Sequence, residues 1–147
     1  MQQWLYNGQE VKDTPDGVIG FVYMIHNLLD GRKYIGKKLL TFSSTKYKTV
    51  TLKSGVKKKK KIKSQVESDW LTYFGSSEEL KKDVETLGAD NFRREVLHYC
   101  KTKAECSYIE MKLQCQYDVL LKPTEFYNAY VGGRIHRNHL KHLHIIC

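Results

Sequence analysis

Two tyrosines eleven residues apart, one glutamate on the apolar side of a helix and a long run of lysines are the parts of this chain equipped for chemistry. Tyr23 and Tyr34 sit in short strand-like runs, Phe21-Val22-Tyr23-Met24-Ile25 and Lys33-Tyr34-Ile35-Gly36, with Asp30-Gly31 in the connection. A glycine-containing connection between two β-rich runs is a hairpin signal. Strand tyrosines usually pack, and a phenol near its ordinary pKa of ~10 is a useful base at neutral pH only beside positive charge. Positive charge is close by. The 147-residue chain carries 25 Lys+Arg against 16 Asp+Glu, a formal +9, and the window from Gly31 to Val66 holds thirteen cations and no acid. The remainder therefore sums to −4 (+9 minus +13), so the excess is local and favours a polyanionic partner.

The glutamate is Glu110. By i, i+3, i+4 spacing it shares a helix face with Cys106, Leu113 and Tyr117, whereas Ser107, Gln114 and Asp118 form the polar arc. A carboxylate in an apolar stripe needs a partner or it protonates. A divalent cation at the edge of the core, a lysine and a backbone group all meet that need.

The elements that position these residues follow from periodicity and caps. Residues 1–17 read as a polar N-terminal extension closed by the turn Thr14-Pro15-Asp16-Gly17, and Val18 to His26 reads as a strand covered on both faces. A second strand runs from about Arg32 to Leu39. The stretch 41–64, with Lys57 to Lys61 near its tip, reads as a basic insertion, either loop or hairpin. Capping boxes open helices at Ser64, Ser76 and Thr102, the first closed by Gly75, the second by Gly88 and the third stopped near Leu121 by Pro123. Phe92 to Cys100 alternates as a third strand. The order predicts an α+β domain over 18–131, with a small three-stranded mixed sheet flanked by helices, then a basic, His-rich tail over 132–147.

Other features are quieter. Cys100, Cys106, Cys115 and Cys147 form no CxxC pair and read as reduced thiols. His136, His139, His142 and His144 beside Cys147 match no closed zinc spacing; a tail touching nucleic acid or an added helix fits them better. Trp70, Tyr73 and Phe74 read as core. No stretch reaches the ~18 apolar residues of a membrane span, and Met1-Gln2-Gln3-Trp4 lacks a signal-peptide layout. The expectation is a cytoplasmic protein with no membrane partner.

The chain resembles the GIY-YIG nuclease family over roughly Val18 to Val131. Phe21-Val22-Tyr23 stands for the first motif, with Gly20 displaced by one position and Val22 at the central isoleucine, and Tyr34-Ile35-Gly36 is the second motif intact. Glu110 matches the family's metal-binding glutamate on a later helix, and Tyr127-Asn128 resembles its closing asparagine segment. The layout is similar to small bacteriophage-type members. The resemblance implies a DNA endonuclease in which Tyr23 is the general base, acidified by nearby lysines or by a metal-water network. It implies further that Tyr34 orients water or phosphate and that Glu110 holds one Mg²⁺ or Mn²⁺. The family usually places an arginine on the first helix after the second motif, but no arginine lies between Arg32 and Arg93. Lys37, Lys38, Lys46 and Lys63 are the alternatives, with Lys38 preferred as catalytic cation; Lys37, Lys57, Lys58, Lys59, Lys60, Lys61 and Lys63 are the expected DNA contacts. Two other readings stay open: a nucleic-acid-binding protein that keeps the scaffold without activity, and a basic protein that binds an acidic protein. Monomer and homodimer are equally compatible with the residues.

Overall fold

In the computed structural model, residues 2–132 and 135–140 are described, with 63, 135, 136, 139 and 140 described through their backbone alone. The chain is α+β, as its pattern implies, but its main sheet has five strands rather than three, in the order β2-β1-β7-β3-β4. Strands β3 (Gly20–Asn27) and β4 (Lys33–Leu39) form the tyrosine hairpin, and β7 (Phe92–Cys100) lies antiparallel to β3 on its other side. The near-continuous apolar run of β3 suits its central place, where only His26 is not fully buried.

The two extra strands come from the segment that reads as an extension. Here β1 (Leu5–Tyr6) pairs with β2 (Gln9–Glu10) and runs parallel to β7. Asn7 and Gly8 both take positive φ, 51° and 80°, the conformation that a two-residue hairpin turn demands. Trp4, just ahead, is buried and donates its indole N–H to the Trp70 carbonyl at 2.7 Å.

The basic insertion is a hairpin. β5 (Thr41–Thr51) and β6 (Lys57–Glu67) pair without a break from Thr41↔Glu67 to Thr51↔Lys57. That ladder corrects the helix expected from Ser64. The Ser64-to-Glu67 capping sequence stays in strand because every residue has a cross-strand partner, and only Trp70–Thr72 closes as a 3₁₀ turn. Helix α1 (Glu78–Leu87) starts one residue later than the Ser76 box implies: Ser77 is the cap, its hydroxyl accepting the Leu80 N–H, and Gly88 closes the helix as expected. Helix α2 (Lys103–Gln116) stops short of Leu121. Its end is set by Tyr117, whose N–H still reaches the Leu113 carbonyl, and by Asp118 at φ 52°, well before Pro123.

Each face of the sheet carries a core. One contains Trp4, Phe21, Tyr23, Ile25, Trp70 and Leu80, with Tyr73 and Phe74 packed against it, so these aromatics are core as expected. The other, under α2, contains Val22, Met24, Ile35, Cys100, Cys106 and Val119. Among the described residues no helix is long and apolar enough to cross a membrane. A short third sheet joins β8 (Tyr130–Val131) to β9 (Ile135–His136). Of the tail histidines, His136 and His139 are described by backbone alone, and His142, His144 and Cys147 lie outside the described residues.

Candidate active site and basic hairpin

Antiparallel register places the tyrosines. Tyr23 pairs with Gly36 and Ile25 with Tyr34, so the two phenols are diagonal neighbours on one sheet face, with ring centroids 6.2 Å apart. Gly36 makes this possible. A Cβ there would stand 2.5 Å from the Tyr23 hydroxyl and 2.9 Å from Tyr34 Cε1, so both rings lie over the bare backbone of the second motif. Gly36→Ala should therefore force the Tyr23 phenol or the strand to shift and lower the melting temperature, as overpacking of this kind costs about 1–3 kcal/mol. An unchanged melting temperature in the G36A protein would contradict this placement.

Among the described residues, no lysine is a leading influence on the Tyr23 hydroxyl. Its ring meets that of Tyr73 edge-on, centroids 6.1 Å apart, and its pKa stands well above the usual value, chiefly because the phenol is buried, with Tyr34, Tyr73 and Glu110 adding to the effect. The expectation that lysines acidify it is therefore corrected. Burial outweighs any lysine. Tyr34 is also raised by burial, and its hydroxyl lies 2.8 Å from Ser76 Oγ, a hydrogen bond that partly offsets the rise.

Glu110 is delivered by α2 to the edge of β4, close enough to both phenols to raise their pKa values. Its own pKa is raised by burial, against the lowering effects of the Lys37 charge and of a hydrogen bond from the Lys37 backbone. No ion pair to Glu110 is found among the described residues. Lys37 directs its ammonium elsewhere, to Ser107 Oγ at 2.6 Å. The stripe on α2 is rotated from its expected centre. Gln114, placed on the polar arc by spacing, is buried and donates to the Ile35 carbonyl at 2.9 Å, whereas Tyr117 is exposed.

Lys38 pairs with Phe21 and so shares the tyrosine face. Its ammonium is 2.6 Å from Asp69 Oδ1 and 3.9 Å from the centre of the Tyr73 ring. It thus stands behind the tyrosine that holds Tyr23. Lys46 is remote, on the exposed hairpin opposite Ile62, and the Lys63 backbone pairs with Thr45.

Two positioning groups gave no usable signal in the sequence. Arg94, buried in the core, donates to the carbonyls of Leu71, Tyr73 and Gln2 at 3.0, 3.0 and 2.7 Å. It fixes the segment bearing Tyr73, and desolvation lowers its pKa to about 10. Tyr73 itself is the other, placed in the core by its spacing and packed edge-on against the Tyr23 ring. Asn128, by contrast, falls where the second half of the pattern suggests. Its Oδ1 accepts the Ile35 N–H at 3.1 Å and its Nδ2 donates to the Ile35 carbonyl at 2.7 Å. Because β4 is an edge strand, this clamp satisfies backbone that no neighbour covers and fixes the Tyr34-to-Gly36 segment.

The hairpin register sorts the lysines by face. Lys57, Lys59 and Lys61 stand with Thr51, Thr49 and Tyr47; Lys58 and Lys60 stand on the opposite face with Val50 and Lys48. All five are exposed. Eleven residues per strand give a ribbon about 35 Å long, at ~3.3 Å per residue, whose base is fixed by Ser68 on the Leu39 and Leu40 carbonyls.

The family described as "Putative endonuclease segE, GIY-YIG domain" matches residues 4–131. The chain is also similar to "Putative endonuclease segE" of Enterobacteria phage T4, at 28% identity over 113 residues, covering 77% of this chain. It spans 42% of the length of that relative. No solved structure matches. With the intact second motif on β4, the tyrosine pair over Gly36 and a family match across most of its length, the chain belongs to the GIY-YIG endonuclease family.

Proposed function

We propose that the protein is a metal-dependent DNA endonuclease that hydrolyses phosphodiester bonds at the Tyr23–Tyr34–Glu110 surface. The observation that carries this reading is Glu110, a partly buried carboxylate near two phenols and without an ion-pair partner among the described residues. Spare acceptor oxygens on a lone carboxylate suit a hard cation that keeps most of its waters, so the residues fit Mg²⁺ or Mn²⁺. Bound there, the ion supplies neutralisation of the non-bridging oxygens and of the leaving 3′ oxygen.

The chain's own groups do the rest. Tyr23, as its phenolate, takes the proton of the attacking water, its ring held edge-on against Tyr73. Tyr34, tethered to Ser76, orients water or phosphate. Lys38 stands in for the family's helix arginine, although it lacks the two-pronged guanidinium geometry and must exchange Asp69 for phosphate. Purified protein should nick or linearise supercoiled plasmid with Mg²⁺ or Mn²⁺ and lose that activity in EDTA. A tightly DNA-bound but inert protein would instead favour the scaffold-only reading, which the Lys38–Asp69 pair supports.

The hairpin lysines provide sequence-independent phosphate contact, together with Lys37 and Lys63 nearer the domain. Replacing Lys57 to Lys61 with glutamine should reduce the slope of log affinity against log salt by roughly 0.9 for each lysine that meets a phosphate. Binding isotherms across a salt series check this; an unchanged slope would exclude the ribbon from the interface.

A further inference from the structure

On the far side of the sheet from Tyr23, the end of β7 meets the start of α2 around four metal-ligating side chains. Strand alternation sets His98 and Cys100 on one face, and the first turn of the helix returns Glu105 and Cys106 to them. His98 Nε2 lies 2.8 Å from Glu105 Oε1, and the His98, Cys100 and Glu105 ligand atoms all lie within 4.8 Å of one another. The Cys106 thiol is near enough to that of Cys100 to affect its titration, and both cysteines are fully buried.

Helix capping accounts for only part of this cluster. Glu105 Oε2 accepts the Lys101 N–H at 3.0 Å, which leaves Oε1 turned to the imidazole. Cys100 Sγ reaches only the His98 carbonyl, at 3.8 Å, and thiols are weak donors and acceptors. One imidazole nitrogen, one carboxylate oxygen and two sulfurs within nine residues form a borderline-to-soft donor set. Such a set suits a tetrahedral, redox-inert divalent ion far better than it suits Mg²⁺.

We infer that His98, Cys100 and Glu105 form a structural Zn²⁺ site, with the fourth position filled by Cys106 after a side-chain rotation or by water. Binding converts the Cys100 thiol to a thiolate and releases its proton to solvent. A second proton leaves if Cys106 joins. The ion would clamp the first turn of α2 to β7, one helical turn ahead of Glu110, and so steady the helix that carries that carboxylate.

Titration of the reduced, full-length protein with Co²⁺ tests this. The wild type should develop a near-ultraviolet thiolate-to-cobalt charge-transfer band that saturates at one ion per chain and disappears on adding Zn²⁺. C100S should abolish the band, and H98Q and E105Q should each weaken binding at least about tenfold. The C115S/C147S double variant and E110Q should bind as the wild type does. No band in the wild type, a band that survives C100S, or one lost in C115S/C147S would overturn the site. Should C100S fail to fold, full affinity in both H98Q and E105Q would overturn it equally.

Discussion

Glu110→Gln will abolish cleavage and, in the same protein, raise the melting temperature. The two effects have one origin. Burial raises the Glu110 pKa, so the folded state holds its proton more tightly than the unfolded chain does. Between the ordinary carboxyl pKa and the raised one, the native state binds more protons, and stability therefore falls as pH increases through that window. At neutral pH the charged carboxylate is thus a net cost to folding, offset in part by Lys37. Glutamine removes the charge and keeps the shape, so stability rises. Cleavage needs the charge, because a neutral amide holds a divalent ion poorly, and its rate should fall about a thousandfold or more. DNA affinity should stay close to wild type. Single-turnover cleavage, thermal melting and a mobility-shift titration on one preparation check all three. A drop in activity with a lower melting temperature would point to a structural role instead.

The second large effect concerns Tyr23. A phenol whose pKa lies well above its usual value is almost wholly neutral at pH 7, and its phenolate fraction grows about tenfold per pH unit until that pKa is reached. If Tyr23 is the general base, the single-turnover rate should climb across pH 7 to 9 with a slope near one on a logarithmic scale. Tyr23→Phe should lower the rate by about 10²- to 10⁴-fold and flatten the profile. The ring stays packed between Trp4 and Tyr73, so the fold should survive. Tyr34→Phe should slow the enzyme but preserve the slope. A profile that keeps its slope in Tyr23→Phe would remove Tyr23 from the base role.

Particular residues show how far the chain could be read before its fold was known. The tyrosine hairpin, Glu110 near the core edge and the helix that ends at Gly88 were legible because each depends on neighbours within a few residues. The strands β1 and β2 were not, since two residues are too short for alternation to show, although Asn7-Gly8 is a hairpin signal that could have flagged them. Ser64 to Glu67 carries a good helix-start pattern, yet pairing with Thr41 to Ser44, distant in sequence, decides its conformation. Long-range contact also explains Tyr73, Gln114 and Arg94. Their partners, Tyr23, Ile35 and the carbonyls of Gln2 and Leu71, are adjacent only once the sheet has formed. Cys100 and Cys106 looked like fillers on separate elements, although the two-residue gap Lys101-Thr102 brings those elements face to face.

The most direct test begins with a DNA complex assembled in EDTA, where affinity is set and chemistry is off. Excess Mg²⁺ is then added to wild type and to Glu110→Gln under single-turnover conditions. Wild-type protein should convert the bound supercoiled DNA to nicked or linear product, while the variant leaves it intact though equally bound. Intact DNA in the wild-type reaction, or cleavage by the variant at a comparable rate, would contradict a metal-dependent site built on Tyr23, Tyr34 and Glu110.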